Sequence, residues 1–160
     1  MPNLKPDIRA QRVSDVTPES LRSRGIEHVL VDLDDTLVSS SDDRPARGVL
    51  EWVAGLKSAG IGVAILSNGS RERVAGFARL AGVPAIALAG KPFSHSFWRG
   101  MTALGNPPAS KTAMIGDQLF TDVLGAKRAG LTTILVTPLS KGKLPHTRLA
   151  RLLERMILKE

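Results

Sequence analysis

A chain of 160 residues that is 42% apolar, with a mean hydropathy of +0.01, carries enough apolar side chain for one buried core. Twenty-two Lys and Arg against 15 Asp and Glu give a net charge of +7, which excludes an acidic solvating tail and suits a polyanionic partner: a phosphorylated substrate, an anionic membrane or a nucleic acid. The absence of cysteine excludes disulfide scaffolds, thiolate metal sites and cysteine nucleophiles.

The first 24 residues hold five basic and three acidic groups and no apolar run of the kind that opens a secretory signal. A cytoplasmic location is therefore expected. Short β-branched runs predict strands at 27–32, 61–67, 83–88, 112–116 and 132–136, each apolar at nearly every position, as strands covered on both faces are. Helical spacing predicts helices at 47–59, 71–81, 95–104 and 119–129; Ser70 can cap the second, and Gly60, Gly82 and Gly130 stop the first, second and last. Strictly alternating strand and helix predicts a three-layer α/β fold of Rossmann-like type with a parallel sheet. The longest apolar stretch, 80–90, is short of a membrane span and contains Pro84. Neither a repeat nor a linker divides the chain, so residues 1–160 are expected to form one domain. The last 20 residues hold six basic and two acidic groups, and about 144–160 reads as a basic amphipathic helix with Leu149, Leu152, Leu153, Met156 and Ile157 on one face.

In such a sheet the chemistry is expected at the carboxyl ends of the strands, where the strand order reverses. The residues that follow the predicted strands there are Asp32-Leu33-Asp34-Asp35-Thr36, then Ser67-Asn68-Gly69-Ser70, then Lys91-Pro92, then Gly116-Asp117-Gln118, with Asp122 beyond. Three carboxylates in four residues repel one another unless a cation neutralises them, and Asp117 brings another to the same edge; a hard divalent ion on oxygen ligands, Mg²⁺, suits that set. Ser67 adds a hydroxyl and Lys91 a fixed positive charge, as a transferring phosphoryl group requires. On an extended strand Asp32 and Asp34 point the same way, so both address one substrate: Asp32 as the nucleophile on phosphorus, Asp34 as acid and then base.

These four motifs, in order and each after a predicted strand, resemble those of the haloacid dehalogenase-like (HAD) phosphotransferases. Within that superfamily the run Gly116 to Val123, the later Thr132 to Pro138 and the N-terminal Leu4-Lys5-Pro6-Asp7 look like the YqeG-type members of subfamily IIIA, which are related to phosphatidylglycerophosphate phosphatases. The resemblance implies Asp32 as nucleophile and Mg²⁺ ligand, and Asp34 as acid/base with its main-chain carbonyl on the metal. It implies Asp117 as the second carboxylate ligand, Asp122 as a carboxylate of the metal site, either on the ion or just behind its ligands, and Ser67, Asn68 and Lys91 as phosphate-binding groups. Asp35 stands where these proteins often carry Asn, and no role is assigned to it.

Superfamily members gain specificity from cap domains inserted beside the first two motifs. The 34 residues between Asp32 and Ser67 and the 23 between Ser67 and Lys91 are used up by the predicted elements, so no cap fits. An open site calls for a large or surface-bound substrate, or for closure by a second subunit. The basic C-terminal helix and N-terminal segment suit peripheral contact with an anionic membrane, in keeping with a lipid phosphate, although completion of the core is the more ordinary use of the helix's apolar face. A soluble phosphate ester with an oligomer closing the site is the competing enzyme reading. A noncatalytic basic binding module is the competing class, but the chain has no helix-turn-helix, zinc spacing or aromatic RNA-binding pattern, and no Tyr, so nucleic acid is disfavoured. His28, His95 and His146 lack ligand spacing, and Trp52 and Trp98 are expected in the core or at a subunit interface.

Overall fold

The computed structural model describes residues 4–140; the helix expected at about 144–160 lies outside them. In chain order the elements are β1 (Ile8–Ala10), a 3₁₀ turn (Val13–Asp15), α1 (Pro18–Ser23), β2 (His28–Val31), α2 (Val49–Ser58), β3 (Gly62–Leu66), α3 (Arg71–Ala81), β4 (Ala85–Ile86) and α4 (Ser94–Ala103). A second 3₁₀ turn (Ala109–Lys111), β5 (Thr112–Gly116), a π-helical segment (Leu119–Leu124), α5 (Gly125–Arg128) and β6 (Thr132–Val136) complete them.

All six strands are parallel, in the order β1-β6-β5-β2-β3-β4. The predicted Rossmann-like α/β architecture is the one observed, with β5, β6 and α3 at the predicted boundaries. Strands β2, β3 and β5 are buried at nearly every position, which is why they read as continuous apolar runs rather than alternating ones. One sheet face packs on α2 and α3 through Val53, Leu56, Val74 and Phe77; the other packs on α4 and α5 through Phe97, Met114 and Ala126. Gly125 makes the second packing close, because a Cβ there would overlap the Phe97 ring.

Three features depart from the sequence reading. The N-terminal segment, read only as a basic arm, supplies β1 and α1. Ile8 pairs with Ile134, and the Asp7 carboxylate accepts hydrogen bonds from Thr133 N–H (2.9 Å) and Oγ1 (3.1 Å), so residues 126 apart in sequence close that edge. A three-residue strand is too short to show periodicity. The helix predicted at 119–129 begins as a π-helix, Val123 N–H bonding Gln118 O five residues back. Strand β2 ends at Val31, before both Asp32 and Asp34. Of the two tryptophans expected in the core or at a subunit interface, Trp52 is core, its Nε1 donating to Val16 O (2.8 Å), and Trp98 is 62% exposed, which fits an interface position and not a core one.

Between β2 and β3 stand a loop and α2, and between β3 and β4 stands α3. No cap occupies either connection. Among the described residues no helix is long and apolar enough to cross a membrane.

Candidate active site

The strand order turns at β2: β3 and β4 lie to one side, β5 and β6 to the other. The crevice at the carboxyl ends of β2 and β5 is the place where such a sheet binds ligands. Asp32 follows β2 directly and is tied to β5 by its own N–H on Ile115 O (2.9 Å). Asp117 follows β5 and accepts from Thr36 Oγ1 (3.2 Å). Ser67 follows β3, and Lys91 lies in the loop between β4 and α4, on a cis bond to Pro92.

Lys91 is the centre of the arrangement. Its Nζ stands 2.7 Å from Asp122 Oδ1 and 3.0 Å from Asp32 Oδ1, with its side chain only 2% exposed. Burial alone would lower the ammonium's pKa, but the Asp122 and Asp32 carboxylates outweigh it and hold the group above its ordinary value. The Asn68 carboxamide braces the same loop, accepting from Gly90 N–H (3.0 Å) and Lys91 N–H (2.9 Å) and donating to Lys91 O (3.1 Å). Most of the Asn68 side chain is thus engaged in holding Lys91. One amide hydrogen is left for a ligand.

Asp122 reaches Lys91 from the π-helical segment, its second oxygen accepting from Gln118 N–H (3.2 Å). Gly116 makes room, since a Cβ there would overlap the Asp122 carboxylate. The carboxylates of Asp32, Asp117 and Asp122 each offer an oxygen within 4.8 Å of the other two. Burial, with Asp122 adding to it and Lys91 opposing, pushes the Asp32 carboxyl up to about 6. Burial, with Asp32 and Asp122 adding to it, pushes Asp117 up to about 9. With all three carboxylates ionised, one ammonium would leave two negative charges uncompensated, so the donor set fits a divalent cation in number, charge and chemistry.

Asp34 is not part of that cluster. It sits in a turn rather than on the strand, so its direction is set by the turn and not by period-two alternation. Even so, a Cβ on Gly69 would lie 2.9 Å from Asp34 Oδ2 and 3.1 Å from Ser67 Oγ, so Asp34 and Ser67 face the same small space over Gly69. Asp34 Oδ1 is held by Arg73 Nε at 2.6 Å, a contact with no counterpart in the sequence reading. The hint in the sequence is a pair of cations, Arg71 and Arg73, in the first turn of α3, where the helix dipole disfavours them, and it does not single out Arg73. Asp35, left without a role, has φ +60°, and its carboxylate accepts from Ser40 N–H (2.8 Å) and Ser140 Oγ (2.6 Å). It joins the turn after β2 to the chain leaving β6.

A parallel α/β sheet with clustered carboxylates, a hydroxyl and a buried lysine at its switch point defines a hydrolase of a known kind. A model of the haloacid dehalogenase-like hydrolases matches residues 11–130, and the chain belongs to that family. It is 39% identical over 155 residues, 96% of this chain and 88% of the relative, to a Bacillus subtilis (strain 168) protein described as "Probable phosphatase YqeG". Its fold is similar to that of CbbY from Rhodobacter sphaeroides, solved with phosphate (TM-score 0.59, 18% identity, 74% of this chain and 89% of that one). It is also similar to the cobalt-bound deoxy-D-mannose-octulosonate 8-phosphate phosphatase from Haemophilus influenzae (TM-score 0.56, 19% identity, 85% and 89%).

Proposed function

We propose that this hydrolase is a Mg²⁺-dependent phosphomonoesterase that works through an aspartyl phosphate on Asp32 and acts on phosphatidylglycerophosphate or a closely similar lipid phosphate. The observation that carries the chemistry is the meeting of Asp32, Lys91, Asp117 and Asp122 within one crevice, with Asp34 and Ser67 facing one small space over Gly69.

In the first half-reaction an Asp32 carboxylate oxygen bonds to phosphorus while the ester P–O bond breaks. The protonated Asp34 gives its proton to the departing oxygen, which leaves as an alcohol. In the second half-reaction the Asp34 carboxylate takes a proton from water, the water oxygen bonds to phosphorus and the Asp32–phosphorus bond breaks. Inorganic phosphate leaves and Asp34 has its proton back. Lys91 lies against Asp32 and neutralises negative charge at the attacking group, while Ser67 and the free Asn68 amide hydrogen are donors for the nonbridging oxygens. Asp32, Asp117 and Asp122, with the Asp34 main chain, would hold the Mg²⁺, which supplies Lewis-acid stabilisation of the phosphoryl oxygens.

The lipid assignment is supported by what surrounds the crevice. Leu88 (56% exposed), Phe93 (67%) and Leu139 (39%) stand on loops at the carboxyl edge of the sheet, on both sides of the site. Exposed apolar residues around a phosphate site suit a phosphate that projects from an apolar surface, and the basic chain suits an anionic one. A cytoplasmic protein that meets the membrane peripherally follows from that reading. A second reading is a soluble phosphate ester with a second copy of the chain covering Leu88, Phe93 and Trp98.

The test is phosphate release from phosphatidylglycerophosphate in mixed micelles with Mg²⁺, beside a soluble phosphoester and an Asp32→Asn variant. Release from the lipid that needs both Mg²⁺ and Asp32 is the expected result. Release from the soluble ester alone would remove the lipid assignment and keep the aspartyl chemistry.

A further inference from the structure

We infer that Arg73 is a positioning residue: it fixes the direction of the Asp34 carboxylate and couples it to loop 39–43. The inference rests on the reading of Asp34 as acid and base. Each nitrogen of the guanidinium is engaged. Nε donates to Asp34 Oδ1 (2.6 Å), Nη1 to Asp43 Oδ1 (2.9 Å), and Nη2 to Ser39 O (2.9 Å) and Asp42 O (3.0 Å). A planar fork bound through all three nitrogens cannot turn toward one partner without losing the others, which a lysine could not reproduce.

The consequence lies on Asp34. Arg73 occupies Oδ1, while Oδ2 faces the space over Gly69 beside Ser67 Oγ. One oxygen is anchored and the other is presented to the phosphate site. Proton donation to a leaving oxygen needs that aim, because a general acid works only within hydrogen-bond reach of the atom it protonates. The same guanidinium grips loop 39–43, which is already joined to the Asp34 turn by bridges from Asp34 to Val38 and from Val38 to Pro45. Acid and loop therefore move together. The four contacts are unequal: Asp43 is 99% exposed, so water screens its pair, whereas Asp34 is 37% exposed and the carbonyls accept at fixed backbone positions.

The experiment compares kcat/KM for p-nitrophenyl phosphate and p-methoxyphenyl phosphate, esters of similar shape whose leaving groups differ in their need for a proton. This ratio covers the steps through departure of the phenol and excludes the later hydrolysis. General acid catalysis contributes roughly 10²–10⁴-fold, and a misdirected acid forfeits part of it, so Arg73→Gln is expected to lose about ten-fold more on the methoxy ester than on the nitro ester. Arg73→Lys should fall between Arg73→Gln and the wild type, and Asp43→Ala should stay within about two-fold of the wild type on both esters. Hydrogen exchange across 38–46 should quicken in Arg73→Gln, a readout independent of activity. Equal losses on the two esters, or unchanged exchange in the loop, would overturn the inference. Asp34→Asn separates the two levels: if it too shows no leaving-group dependence, the acid reading has failed; if it does and Arg73→Gln does not, only the positioning role has.

Discussion

The Lys91 ammonium and the Asp122 carboxylate are 2.7 Å apart, with 2% and 1% of their side chains exposed, the first on the loop after β4 and the second in the π-helical segment after β5. Removing one partner of a buried pair leaves the other charge without water or counterion, at a cost of about 3–5 kcal/mol. Asp122→Ala is expected near the lower end of that range, since Asp32 still faces Lys91 at 3.0 Å. Urea denaturation measures it, and a loss below 1 kcal/mol would show that the pair is not what holds this edge together.

The acidic cluster ties stability to metal and to pH. Asp32 (about 6) and Asp117 (about 9) both lie above the unfolded value of 3.8, so the metal-free folded state binds more protons than the unfolded state between these limits. Their contribution is fully present below pH 3.8 and is lost as pH rises through about 6 and then about 9. Metal-free protein should therefore lose melting temperature over this range. Mg²⁺, which binds the ionised carboxylates of the folded state, should restore it, by about 2.7 kcal/mol at a hundred times its dissociation constant. Thermal denaturation with EDTA and with Mg²⁺ at pH 6 and 9 checks both, and Asp117→Asn should shrink the Mg²⁺ effect.

Gly116→Ala places a methyl group on the Asp122 carboxylate. Overpacking of this kind costs about 1–3 kcal/mol, and here it also displaces the partner of Lys91. Stability and phosphate release are expected to fall together, in contrast to Gly55→Ala in exposed space on α2, which should leave both in place.

Asp35 stands at φ +60° with two hydrogen bonds to its carboxylate. Asn tolerates this backbone region and keeps an acceptor, so Asp35→Asn should shift the melting temperature little. Asp35→Val has a strained backbone and neither bond, and should destabilise by about 1–3 kcal/mol. Similar melting temperatures for the two variants would count against the joint between Asp35 and Ser140.

What the sequence determined by itself follows from local rules. Strands buried on both faces are continuous apolar runs, helix stops such as Gly82 (φ +66°) and Gly130 (φ +83°) are visible one residue at a time, and polar residues after each strand fall at one edge of a parallel sheet. That was enough for the architecture, for the family resemblance and for the residues gathered in the crevice. Tertiary structure decided what those residues do to one another. Arg73 on Asp34, Asp122 on Lys91, Asn68 on the Lys91 loop and Asp35 on Ser140 join positions 22 to 105 residues apart. The π-helical segment that accompanies Asp122, the turn that aims Asp34 and the strand β1 closed by Asp7 likewise arise only once the sheet is assembled. Side-chain periodicity reports which face of an element is buried, whereas hydrogen-bond partners are set by the distances between elements, and those exist only in the packed fold.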